Sequence, residues 1–161
     1  MKQFLGVKLI HAKPMTRAES NTFRGWELPA DERGEDEGYL VEYLDGGQAN
    51  TKEYAGYVSW SPKDVFERAY KSTEGLSFGL AVEAMRMGYK VTRAGWNGKG
   101  MWLYLVGADY YPAKTDAAKS FYGENSMVPY RAYIAMKTVN NEVVPWVASQ
   151  SDILESDWII V

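Results

Sequence analysis

The sequence predicts an α+β chain: a small βαββα module, followed by a small antiparallel sheet with an N-terminal helix and a short helix near the C-terminus. Three observations carry this reading. Short apolar segments are punctuated by Gly, Pro, Asn and Asp, as strands joined by turns require. Helix starts are marked by capping residues, Thr16 with Glu19 and Ser149 with Asp152 at capping-box spacing and Ser77 ahead of an amphipathic run. The charge pattern changes near "KSTEGLS", residues 71 to 77, which divides the chain into segments 1–71 and 76–161.

In the first segment "GVKLIHAKP" reads as a strand over residues 6–13. The Thr16/Glu19 box starts a helix that ends near Gly25. "ADERGEDEG", residues 30–38, is acidic, lacks apolar periodicity and reads as an exposed loop. "GYLVEYL" alternates and runs into the turn "DGG", and "YVSW" is the next strand. Ser61-Pro62-Lys63-Asp64 then predicts a helix with Ser61 as N-cap and Pro62 at the first helical position, carrying Val65, Phe66, Ala69 and Tyr70 on one face.

In the second segment Ser77 caps a helix whose Phe78, Ala81, Val82 and Met85 recur at i, i+3, i+4 and i+7, and Gly88 ends it. "YKVTR" and "MWLYLV" are strands on either side of a glycine-rich turn. In the latter, Met101, Leu103 and Leu105 face one way and Trp102, Tyr104 and Val106 the other. Both faces are apolar and should be covered, which so short a segment does not do alone, so the pattern points to an oligomer. Residues 107–129 read as a long irregular connection, of the kind that is either a functional lid or disordered. "YRAYIAMKT" and "EVVPWV" form a hairpin around Asn140-Asn141, the Ser149/Asp152 box starts a short helix, and "WIIV" is a last strand.

Composition narrows the function. The chain has 161 residues, a length for one ordinary domain or two small ones, and 46% hydrophobic residues, enough for a core. It has no cysteine, which excludes disulfides, zinc–thiolate sites and cysteine nucleophiles and points to a reducing compartment. No signal-peptide pattern and no apolar run near the roughly 20 residues of a membrane helix is present, so a soluble cytosolic protein is expected. The net charge of −3 lacks the basic footprint of a DNA or RNA binder. Aromatic residues make up 14% of the chain, which suits either sheet packing or the gripping of a flat ligand.

Catalytic parts are scarce. His11 is the single histidine and lies in an expected strand, where a packed or surface role is the ordinary one. The usual nucleophile triads and histidine-rich zinc sites lack their components, so neither a catalytic set nor a metal site nor a cofactor is expected. Asp152 and Asp157 neighbour Trp146 and Trp158, where they could bond ribose hydroxyls, while Asp152 could equally do no more than cap its helix. "GWNGKG", residues 95–100, fails as a phosphate loop: it is not G-x-G-x-x-G, its Lys99 is followed by Gly100 and not Ser or Thr, and it joins two strands. It is either a hairpin turn with a packed Trp96 or a wall for a base, with Asn97 and backbone N–H groups as donors.

"LSFGLAVEAMRMGYKVTRAGWNGKGMWLYLV" and "YRAYIAMKT…VVPWVASQSDILESDWIIV" together resemble the phage anti-Thoeris family, the second Thoeris anti-defence family. The runs "GWNGKGM" and "PWxxSQxDxxxxDW" carry the likeness over residues 76–106 and 130–161. The first segment looks like a module often joined to this domain in phage proteins. The resemblance implies a non-enzymatic sponge in the cytoplasm of the infected bacterial host. It would bind and sequester a cyclic ADP-ribose isomer, with cyclic dinucleotides bound at separate sites in some relatives. It also implies a homotetramer with pockets at subunit interfaces. Matched to the family's motifs, the ligand-binding residues are Phe78, Trp96, Asn97, Trp146, Ser149, Gln150 and Asp152, with Arg131 and Met136 added to the set. Arg93, Lys99, Arg131 and Lys137 are the cations available to a pyrophosphate. The extra N-terminal module and the 107–129 connection depart from the family pattern. A different class of function, a phage structural or host-interaction adaptor, would use the aromatic surface and the acidic loop as a protein interface.

Overall fold

The computed structural model describes residues 1–161, which separate into two compact units, Met1–Lys71 and Ser72–Val161. The chain is α+β with more strand than helix, and all its strand pairs are antiparallel. No helix is long and apolar enough to cross a membrane.

Unit 1 runs β1 (His11–Pro14), α1 (Arg17–Arg24), β2 (Gly38–Tyr43), β3 (Tyr57–Pro62) and α2 (Lys63–Ala69), with its sheet in the order β1-β2-β3. The capping box of α1 is formed: Thr16 accepts from the Glu19 N–H and the Glu19 carboxylate accepts from the Thr16 N–H at 2.7 Å. Gly25, at φ 68°, closes the helix, donating to Thr22 while Trp26 donates back to Asn21. Two expectations shift. The first strand is four residues, His11–Pro14, not 6–13, because the ladder with β2 begins only at His11↔Glu42. Ser61 does not cap α2. It is held in the β2–β3 ladder opposite Tyr39, and the extended Pro62 precedes the helix without a side-chain cap. The proline is tolerated there because β3 is an edge strand. Phe66 of α2 stacks on Tyr39 at 4.1 Å and 19°, and so sets α2 on one face of the sheet. His11 is exposed, with Nδ1 3.3 Å from the Glu42 carboxylate.

Unit 2 runs α3 (Phe78–Arg86), β4 (Val91–Arg93), β5 (Trp102–Val106), β6 (Asp109–Pro112), α4 (Asp116–Tyr122), β7 (Met127–Tyr130), β8 (Tyr133–Lys137), β9 (Val143–Pro145), α5 (Gln150–Leu154) and β10 (Trp158–Ile160). Its five-stranded sheet has the order β10-β4-β5-β8-β9. The core lies between α3 and this sheet: Ala81, Ala84 and Met85 pack with Val91, Leu103, Leu76 and Trp158. Past α3, Gly88 at φ 90° donates to Met85 and Tyr89 donates to Ala84, the backbone turn that lets the chain reverse into β4. The β8–β9 hairpin turns through Asn141 at φ 64°, the left-handed geometry that asparagine accepts. On β5 the expected two faces appear: Leu103 is fully buried under α3, whereas Trp102 and Tyr104, on the face without a helix, are only half-buried.

Residues 107–129 are not irregular. They form the two-stranded sheet β6–β7 with α4 between its strands, capped by Thr115. Pro112 and Pro129 sit in a ladder with no third strand, where a missing N–H leaves no inner partner unpaired.

Candidate functional site

The Ser149/Asp152 capping box builds one end of the site. Ser149 donates through its backbone N–H (3.0 Å) and its hydroxyl (2.7 Å) to Asp152 Oδ2, and its hydroxyl accepts from the Asp152 N–H at 3.1 Å. The other carboxylate oxygen, Oδ1, faces away from the helix and accepts from Arg93 Nη1 (2.9 Å) and Trp96 Nε1 (3.1 Å). Asp152 therefore caps α5 and also ties α5 to the glycine turn.

Arg93 sits at the end of β4, opposite Trp158 in the β10 ladder. It grips Asp157 with two nitrogens, Nε to Oδ1 at 2.7 Å and Nη2 to Oδ2 at 3.3 Å. This fork-on-carboxylate geometry is the strong form of the pair. Arg93 is thus spent on two acids and is not a free pyrophosphate donor. Asp157 Oδ2 also accepts from the Gly95 N–H at 2.8 Å, and a Cβ on residue 95 would come within 2.8 Å of that oxygen. Glycine is needed here for close approach.

The charges reflect this wiring. Burial by itself would raise the Asp152 carboxyl, but hydrogen bonds from Ser149, Arg93 and Trp96 outweigh it and hold the group at about 2. Asp157 is lowered by its hydrogen bonds from Arg93, against some burial, and by the Gly95 N–H. Arg93 is raised above its ordinary value, chiefly by Asp157 and then, against burial, by Asp152.

Against this latch stands an aromatic cluster. Trp158 is its fully buried floor, with Nε1 donating to the Asp152 carbonyl at 3.0 Å. Phe78 lies 5.4 Å from it, Trp96 5.5 Å and Trp146 6.0 Å, in tilted and edge-on arrangements. Trp146 in turn touches Phe78 (6.0 Å) and Trp96 (6.2 Å). Phe78, Trp96 and Trp146 are each half-buried and pack against the core. Four residues from α3, the glycine turn, the segment after β9, and β10 thus form one wall.

Of the residues singled out from the sequence, Phe78, Trp96, Trp146, Ser149 and Asp152 converge here. Gln150 opens α5 beside Ser149 and is exposed, and Asn97 is exposed in the turn next to Trp96. Met136 lies opposite Leu103 on the core side of the sheet and packs on the core cluster. Arg131 is exposed between β7 and β8. Lys137 donates to the Gly100 carbonyl at 3.1 Å and so braces the turn. Asp157, offered by the sequence as a ribose partner, is instead bound to Arg93 and the Gly95 N–H; Trp158 was missed as the floor of the wall, although "DxxxxDW" holds it at a fixed distance from Asp152.

Residues 76–161 match the family model for the Thoeris anti-defense 2-like domain. A similar protein is Thoeris anti-defense 2 of Bacillus phage SP01, 41% identical over 87 residues, which make up 53% of this chain and 94% of that protein. The matched segment contains the aromatic wall and its latch.

Proposed function

The chain belongs to the Thoeris anti-defense 2-like family, and we propose that it is a phage anti-defence protein that binds and holds a cyclic ADP-ribose-type signal in the infected host without cleaving it. The observation that carries this reading is the wall of three half-buried rings, Phe78, Trp96 and Trp146, on the buried Trp158, held still by the Arg93–Asp152–Asp157 latch. Such a surface is prepared for a flat base before the ligand arrives, which lowers the ordering cost of binding. Stacking of a base on an aromatic side chain contributes about 1–3 kcal/mol.

The remaining roles follow from exposure and chemistry. Asn97, Gln150 and the Ser149 hydroxyl are neutral partners for ribose hydroxyls at the rim. Lys99 and Arg131 are the exposed cations suited to a pyrophosphate. Met136 supports the wall from the core side. Asp152 acts by orienting Trp96 and Ser149. In this reading the chain is a homotetramer, with the helix-free sheet face around Trp102 and Tyr104 as a subunit contact and the ligand sites completed across interfaces. The adaptor reading has less support, since three carboxylates of its acidic loop are engaged internally: Glu32 with Arg17 (2.7 Å), Glu35 with Arg33 (2.9 Å) and Glu37 with Lys63 (2.6 Å).

Calorimetric titration with cyclic ADP-ribose isomers tests the proposal. The folded chain should bind one isomer at micromolar concentration or tighter, and Trp96→Ala should weaken binding by more than about tenfold, as for a lost aromatic anchor. Absence of binding by every isomer to an oligomeric, folded sample would sink the idea.

A further inference from the structure

Unit 1 holds a cavity of about 240 Å³ whose charged lining is entirely cationic: Arg17 and Arg24, with no carboxylate, in a unit otherwise rich in acids. Arg17, Ser20, Asn21 and Arg24 recur at i, i+3, i+4 and i+7 on α1, so one helix face supplies that side. Trp60 and Ser59 of β3 line the opposite side, and Trp26, placed by the Gly25 turn, joins them.

Both guanidiniums lie over indole rings. Arg17 lies 4.4 Å from the centre of the Trp60 ring and Arg24 lies 4.6 Å from that of Trp26. Trp60 is itself fixed, its Nε1 donating to the Met15 carbonyl at 2.8 Å. Each arginine nevertheless has a buried nitrogen with no hydrogen-bond partner, Arg17 Nε and Arg24 Nη1. Buried donors are almost always paired, and Arg24 Nη1 has neither a hydrogen bond nor an ion pair. Arg17 is paired with two acids, Glu32 at Nη1 (2.7 Å) and Asp36 at Nε (3.9 Å). Arg24 is the one arginine of the unit outside any ion pair, since Arg17, Arg33 and Arg68 each have an acid within 4.0 Å.

We propose that this cavity is a binding site for a compact phosphate monoester, its oxygens taken by Arg17 and Arg24 and its organic group set against Trp26. Stacked arginines are the side chains suited to oxyanions, because their planar fork matches phosphate and carboxylate oxygens. Two separate guanidiniums favour phosphate, which offers three oxygens and up to two charges where a carboxylate offers two oxygens and one. The volume lies below the roughly 300–1,000 Å³ of pockets for drug-sized ligands, so the ligand is small. Ser20, Ser59 and Asn21 add neutral hydrogen-bonding groups. Trp26 is 60% exposed, which leaves its ring available at the edge of the site. This site belongs to unit 1 and stands independently of the reading given for unit 2.

The test titrates the full chain with phenyl phosphate, inorganic phosphate and benzoate at low salt, by calorimetry and by phosphorus NMR. Phenyl phosphate should bind saturably at millimolar concentration or below, inorganic phosphate more weakly, and benzoate weakest. Arg24→Gln should weaken phenyl phosphate at least about tenfold, as for loss of a charge-assisted fork. Arg24→Lys, which keeps the charge without the fork, should fall between, and Lys52→Gln, outside the cavity, should match the parent. Trp26→Ala, at an exposed position, should weaken phenyl phosphate but not inorganic phosphate, which keeps the test open if Arg24→Gln fails to fold. Benzoate binding as well as phenyl phosphate, equal binding by folded Arg24→Gln, or no saturable binding by the folded parent would each overturn the proposal.

Discussion

Asp152 shows how much one carboxylate can organise. It caps α5, pairs with Arg93 and orients Trp96, so its removal should be felt in the turn as well as in the helix. Its carboxyl is depressed from 3.8 to about 2. A depressed acid contributes stability that is complete above its unfolded value and is lost as pH falls through its folded one. The contribution should therefore hold down to about pH 4 and disappear toward pH 2. Asp152→Asn should cost about 1–3 kcal/mol at neutral pH, the range for buried donors left without their acceptor. Thermal melts of parent and variant should differ at neutral pH and converge near pH 2; an equal difference at both would contradict this role. The capping box was legible in the sequence because its members are three residues apart. The Arg93 pairings were not, since the partners lie 59 and 64 residues away and only the β4–β10 ladder brings them together. For the same reason Arg93 read as a free cation in the sequence.

Among the elements, α3 and the β8–β9 turn were legible from local signals, a 3.6-residue apolar period and an asparagine pair. The β6–α4–β7 segment was not. Its prolines argue against a strand in general but not in a two-stranded ladder, and the number of strands in a sheet is not written in any one of them. Tyr111 and Tyr130 meet edge-on at 5.3 Å across that ladder, a diagonal contact that helps hold it. Thr115 caps α4, its hydroxyl accepting from the Ala118 N–H at 3.3 Å. Thr115→Ala should cost about 0.5–2 kcal/mol, felt locally. Hydrogen exchange should quicken over residues 116–122 and stay unchanged in the five-stranded sheet. Uniform acceleration across unit 2 would contradict the description of this segment as a separate small element.

For the whole molecule, the matched residues 76–161 fall within unit 2, and the phage relative is covered over 94% of its own length by 87 residues of this chain. Unit 2 has its own core, with Trp158 at its centre, and loss of a buried side chain of that size costs about 3–5 kcal/mol. Residues 72–161 expressed alone should unfold in one cooperative transition and bind the signal within about threefold of the full chain, a difference of under about 0.7 kcal/mol. Loss of binding on removal of unit 1 would move the site away from the aromatic wall. The charge pattern of the sequence changes near the boundary between the two units. The covering of the outer sheet face was not readable, since the sequence shows that both faces of β5 are apolar but not what meets Trp102 and Tyr104.

Whether the signal is held intact is read from mass spectrometry of what the protein releases. The chain is mixed with an equimolar cyclic ADP-ribose isomer that calorimetry shows to bind, freed of unbound nucleotide, and then denatured. Recovery of the intact cyclic molecule, close to one per binding site, is the expected result. Recovery of linear ADP-ribose or other cleavage products would contradict sequestration and make the protein an enzyme.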